Sequence, residues 1–147
     1  MGDCLRSQLA DALDAALASF VDIVSDAETV GGADRRVPGM DWTVAEVAAH
    51  VTALHRRAID DFRRSSTPEE TAELNAVCLA EQPERDLSQL APMLISEGRR
   101  AHDVLRGLPD DFEFPFHAGS RTTVVPASGV VLAEYLVHGD DIRRALG

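Results

Sequence analysis

The sequence predicts an all-α protein: a four-helix bundle with a short extra helix and a small β-hairpin before the last helix. Three observations carry this. Apolar residues recur at steps of three and four through most of the chain. Helix-start signals stand at Thr43, Thr67 and Asp86. The only change to an alternating period comes after Phe112 and is brief. With 147 residues the chain can bury a substantial core, and residues 1–147 read as one domain.

The first helix spans residues 4–28, where Leu5, Leu9, Leu13, Leu17, Phe20, Ile23 and Val24 line one face. Gly31-Gly32 and Pro38-Gly39 make residues 29–39 a loop. Thr43 and Glu46 then form a capping box, with Trp42 placed to pack on Val47 as a hydrophobic staple. That helix is expected to run past His50 and Leu54 to about Arg64. Thr67-Pro68-Glu69-Glu70 starts a short helix ending near Glu81, with proline at the first helical position and acids in the first turn. Asp86 and Gln89 open the next, through Leu90, Leu94, Ile95, Ala101 and Leu105, and Pro92 is expected to kink it or delay its start. Gly107 and Pro109 stop it. Phe112, Phe114 and Phe116 alternate, His117 to Ser120 can turn, and residues 121–125 are rich in β-branched side chains, which predicts a hairpin or extended crossover. Pro126 to Ser128 begins the last helix, which runs to Gly147.

The net charge of −11 argues against nucleic acid, whose binding rewards basic patches. No apolar run reaches the ~18 residues that span a membrane, and Asp3, Arg6, Asp11 and Asp14 break any signal-peptide pattern. A cytoplasmic location is expected. All fourteen basic residues are arginine, which, with the abundant alanine, suggests a GC-rich genome. Cys4 and Cys78 lack the spacing of a disulfide scaffold or a metal knuckle, and two reduced thiols are expected.

Chemistry concentrates at Glu134-Tyr135-Leu136-Val137-His138-Gly139-Asp140-Asp141. Glu134 and His138 lie one helical turn apart on one face and can grip one ion, though a spacing of four is also what an ordinary surface pair shows. Apolar Leu132, Ala133, Leu136 and Val137 suggest that this face is partly buried, where an unpaired Glu is costly. Zinc commonly takes at least three protein donors, and His50 is the best third, although a core histidine bonded to a carbonyl would look the same. His55 sits about 140° from His50 around the helix and cannot share its site. His55, His102 and His117 read as solvent-facing or structural, His117 being an outside candidate if the hairpin folds over a pocket.

Pro38-Gly39-Met40-Asp41-Trp42-Thr43-Val44 followed by Ala48-Ala49-His50 resembles the N-terminal signature of the mycothiol-dependent maleylpyruvate isomerase family, part of the wider DinB-like group of four-helix bundles. The ending from Glu134 to Gly147 is similar to the family's second signature. The two motifs cover both ends of the chain, and the middle is pattern-compatible only. The resemblance implies that His50, Glu134 and His138 bind a divalent metal, usually zinc. It also implies mycothiol or a similar low-molecular-weight thiol as cosubstrate, and it suits an actinobacterial source. Metal coordination would favour the thiolate, which attacks an electrophilic carbon in S-transfer or adds reversibly to a double bond in isomerisation. Asp141 is expected either to orient a metal ligand or to pair with Arg144.

Asp140 departs from the resemblance by standing where relatives commonly carry a large aromatic residue, so a different pocket wall is expected. Many relatives continue into a second domain that helps form the site. The expectation for a chain ending at Gly147 is a minimal member, or one lacking part of that site. Two other function classes stay open: a non-catalytic module that binds a metal or small ligand, and a metal-assisted hydrolase. Homodimerisation through a bundle face is an expectation that no particular residue pattern supports.

Overall fold

The computed structural model describes the backbone of residues 2–147 and the side chains from Leu5 onward; the expectation of a reduced thiol at Cys4 lies outside the described side chains. Five α-helices form: α1 (Gly2–Thr29), α2 (Val44–Ile59), α3 (Pro68–Glu81), α4 (Leu87–Gly107) and α5 (Val124–Leu146). Two-residue strands β1 (Phe114–Pro115) and β2 (Arg121–Thr122) pair antiparallel before α5, with Phe114 opposite Thr122. This is the predicted helical bundle with its small hairpin. No described helix is long and apolar enough to cross a membrane.

α1 packs on α4 and α5, α2 packs on α4, and α2 meets α5 along a shorter seam that closes the ring of four. The short α3 lies outside this ring, against α2. The apolar stripe of α1 enters the core from Leu13 onward, through Leu17, Phe20, Ile23, Val24 and Ala27, whereas Leu5 is 55% exposed. Gly98 lets α4 approach α1, because a Cβ there would come within 2.7 Å of Leu17. Gly139 does the same for α5, where a Cβ would meet Ile23 at 3.0 Å.

Local signals account for the helix starts. Thr43 accepts from the Glu46 amide at 3.3 Å while Glu46 accepts from the Thr43 amide at 2.7 Å, completing the capping box. Thr67 caps α3 with Pro68 at its first position, and Asp86 caps α4.

Three boundaries differ from expectation. α2 stops at Ile59 rather than Arg64, because Arg64 folds back to donate to the carbonyls of Arg57 (3.0 Å) and Asp61 (3.1 Å), satisfying acceptors that a helix end leaves open. Pro92 neither delays nor breaks α4, which starts at Leu87 and runs through it; a missing N–H near the start forfeits one bond, to Ser88. α5 begins at Val124, so Pro126 is in the first turn, where backbone N–H groups have no helical partner in any case.

The core also holds polar side chains. The Tyr135 hydroxyl of α5 lies 2.7 Å from His55 Nε2 of α2 and 2.9 Å from His102 Nε2 of α4. His102, fully buried, bonds Asp14 of α1 through Nδ1 at 2.8 Å. Asp14, held ionised despite partial burial by His102 and Arg106, can only accept, so His102 Nδ1 donates to it. The Tyr135 hydroxyl bridges the Nε2 atoms of His102 and His55. Burial drives the His55 pKa down to about 3 and, with Asp14, raises that of Tyr135, so both are neutral at pH 7. His55 and His102 are therefore structural, and neither faces solvent.

Two stability outcomes are expected. Leu94→Ala, at a fully buried position, should cost about 2–5 kcal/mol in urea unfolding. Tyr135→Phe keeps the ring and leaves two buried imidazole nitrogens unpaired, a cost of about 1–3 kcal/mol in the same assay. A Tyr135→Phe protein as stable as wild type would show that the hydroxyl does not tie the helices.

Candidate metal centre

Glu134 and His138 occupy one edge of the buried stripe of α5. At about 100° per residue, Tyr135, Gly139 and Ile142 point into the bundle while Glu134, His138 and Asp141 turn toward α2. Leu136 and Val137 are 60% and 56% exposed, so the partial burial expected of the Glu134 face holds but does not come from them. Partial burial of Glu134 comes instead from its position at the α2–α5 seam.

Across that seam stands His50, buried on α2 with its ring 4.8 Å from that of Trp42. Trp42, placed by sequence as a staple, is partly buried against the core and flanks this imidazole. One donor atom each from His50, Glu134 and His138 falls within 4.8 Å of the others. Glu134 Oε2 is 3.0 Å from His138 Nε2 and 3.8 Å from His50 Nε2, the latter beyond hydrogen-bond range.

The charges of this cluster fit a cation. Both ring nitrogens of His138 face carboxylates: Nε2 toward Glu134, and Nδ1 toward Asp141 Oδ2 at 3.1 Å. Carboxylates only accept, so positive charge is required between Nε2 and Glu134, whether as a proton or as a cation. Burial opposes protonation of His138, but Glu134 and Asp141 outweigh it and raise its pKa. Burial also opposes ionisation of Glu134, and the two imidazoles reverse this, bringing its pKa down to about 2. His50 goes the other way: burial lowers its pKa, only partly offset by Glu134, so it presents a neutral ring. Two imidazoles and a carboxylate form a zinc-type donor set that leaves a coordination position open.

Asp141 contacts both His138 and Arg144. One oxygen holds His138 Nδ1 and the other accepts from Arg144 Nη2 at 2.9 Å. Asp140 is exposed and pairs with Arg144 Nε at 3.0 Å, on the outside of α5.

A second group of possible donors, Asp61, Cys78 and Glu81, is equally compact. Arg63 already fills it, donating to both carboxylates. That guanidinium brings the Asp61 pKa down to about 2. Cys78 is a free, buried thiol whose pKa burial raises.

Sequence reasoning missed Arg57, seven residues and so two turns beyond His50 on the same face of α2, which was the available signal. It is buried and contacts His117, the outside candidate, whose half-buried ring sits on the hairpin turn.

The family model described as the mycothiol maleylpyruvate isomerase N-terminal domain matches residues 10–143, a span containing all three donors. No curated protein and no solved structure matches the chain. A match over nearly the whole sequence, on a helical bundle, establishes that the chain belongs to the mycothiol maleylpyruvate isomerase N-terminal domain family.

Proposed function

We propose that this chain is a divalent-metal-dependent enzyme whose nucleophile is a low-molecular-weight thiol of the mycothiol kind, acting in S-transfer or in isomerisation. Residues 1–147 would work as one bundle domain, with His50, Glu134 and His138 holding the ion, most simply Zn2+. The observation that carries this reading is the convergence of those three donors within 4.8 Å from two different helices. Family membership supports the thiol.

A bound divalent ion supplies Lewis acidity that favours thiolate over thiol near neutral pH. The chain's own residues prepare for it. Asp141 accepts from His138 Nδ1–H and so directs Nε2, the better-placed nitrogen, toward Glu134 and the ion. Trp42 packs beside His50 and restricts its ring. Glu134, ionised at any physiological pH, offsets one positive charge.

Protein purified without a His-tag should carry near-stoichiometric metal by mass spectrometry. His138→Ala should lose it with little change in helical circular dichroism, because His138 stands at the edge of the core. Full metal content in His138→Ala would sink the assignment. The sign of the pH dependence follows from His138: its raised pKa means that a proton competes with the ion at higher pH than for an ordinary histidine. Affinity should therefore fall as pH is lowered through that range, by up to about tenfold per unit for one displaced proton.

Turnover of electrophiles by the zinc-loaded protein should require added thiol. Hydrolysis without thiol would point to a metal-assisted hydrolase, and tight ligand binding without turnover to a non-catalytic module.

A further inference from the structure

Arg57 is 4% exposed, and among the described residues it has no carboxylate partner. Its Nη1 donates to Asn75 Oδ1 at 2.9 Å and its Nη2 faces His117 Nδ1 at 3.4 Å, both neutral acceptors. Arg64 is alike: its guanidinium donates only to the carbonyls of Arg57, Asp61, Arg63 and Pro115. The two positive charges repel, and burial together with Arg57 lowers the Arg64 pKa. Asp61, an acid whose titration Arg57 influences, is already clasped by Arg63.

Burying a cation without an anion is costly, and this chain has 25 acids for 14 arginines. A purely structural tie between α2, α3 and the hairpin turn could use a neutral side chain. Position supplies the alternative. Arg57 follows His50 by two turns on one face, about 10 Å along the axis. His117 contacts Arg57 and also senses Glu134: its pKa is held down by burial, Arg57 and Arg64 and drawn up by Glu134. The ring is thus neutral, and its contact with Arg57 is long enough to yield to a stronger acceptor. Its turn is fixed from below: Ser65 Oγ accepts from the Ala118 amide at 3.0 Å and Ser65 O accepts from that of Gly119 at 2.9 Å.

We propose that Arg57, backed by Arg64, is an oxyanion site that takes the carboxylate of a ligand whose other end lies at His50, Glu134 and His138. This rests on the reading of those three residues as a metal centre. The ligand class is a carboxylate-bearing molecule spanning roughly the ~10 Å between the two positions. An anion entering here accepts from guanidinium donors in place of His117.

The test uses cobalt-loaded protein and two thiols of equal length, 6-mercaptohexanoate and 6-mercaptohexanol, titrated through the sulfur-to-cobalt absorption band. The acid should bind about tenfold more tightly than the alcohol, the effect of one charge-assisted hydrogen bond. With a net charge of −11 the overall field repels anions, so such a preference has to be local. Arg57→Gln should bind both thiols with the alcohol's affinity while keeping its cobalt stoichiometry. Equal affinities in wild type, or an unchanged preference in Arg57→Gln, would overturn the proposal.

Should Arg57→Gln fail to fold, Arg64→Gln at the half-buried arginine takes its place, with an expected drop in preference of about threefold; no drop would count against the site. A protein that takes up no cobalt would refute the metal centre, and the anion site is then decided separately. Hexanoate but not hexanol should raise the melting temperature of the metal-free protein, and no difference between them would end the proposal.

Discussion

The orientation of α5 depends on one buried hydroxyl. Tyr135 is the point where α5 meets polar groups of both α2 and α4, and through His102 it reaches Asp14 on α1. Apolar packing alone tolerates rotation and sliding of a helix, since one aliphatic contact substitutes well for another. A hydroxyl that bridges His102 and His55 does not, because either displacement leaves a buried polar atom unpaired. Glu134 precedes Tyr135 directly, so the bond that sets the angle of Tyr135 also sets where the carboxylate points. The network is not fully satisfied: His55 Nδ1 is buried and unpartnered, a desolvation penalty that the bundle carries.

From that constraint the composition of the seam follows. Glu134, 100° from Tyr135 around α5, and His138, about 60° from it on the same side, lie at the margin between core and water. There the two imidazoles hold the Glu134 carboxylate ionised against the burial that opposes it. Glycine plays a part at the same level. Gly139 follows His138 and allows α5 to sit against Ile23 and Phe20; a side chain there would shift the edge that carries Glu134 and His138 relative to α2.

What was legible in the sequence was whatever local chemistry decides. The capping box at Thr43 and Glu46, the cap and proline at Thr67 and Pro68, and the stripe of α1 from Leu13 onward are short-range, and each appears where expected. The gathering of His50 with Glu134 and His138 came from paired motifs and not from periodicity, which carries no information about which faces meet. Long-range polar pairing was invisible. Nothing in the sequence near His55 indicates that Tyr135, 80 positions later, will bond it. His102 was more accessible to reasoning, since it lies on the α4 stripe with Leu94, Gly98, Ala101 and Leu105, where a histidine must be buried and partnered. The misjudged end of α2 has the same origin. Continued helical pattern past Ile59 competes with Arg64 capping the helix, and that contest is settled by three-dimensional reach.

Arginine placement separates the candidate centre from the rest of the acidic surface. Where carboxylates crowd together elsewhere, a guanidinium joins them: Arg63 between Asp61 and Glu81, Arg144 between Asp140 and Asp141, Arg106 between Asp14 and Asp103. Each such pair contributes little individually at the surface, yet it fills the space a cation would need. Glu134 receives imidazoles only, and Arg57, on the helix that faces it, receives no carboxylate. Glu134 has its charge offset by imidazoles and Arg57 donates to neutral acceptors, a distribution unlike the guanidinium–carboxylate pairs of the surface.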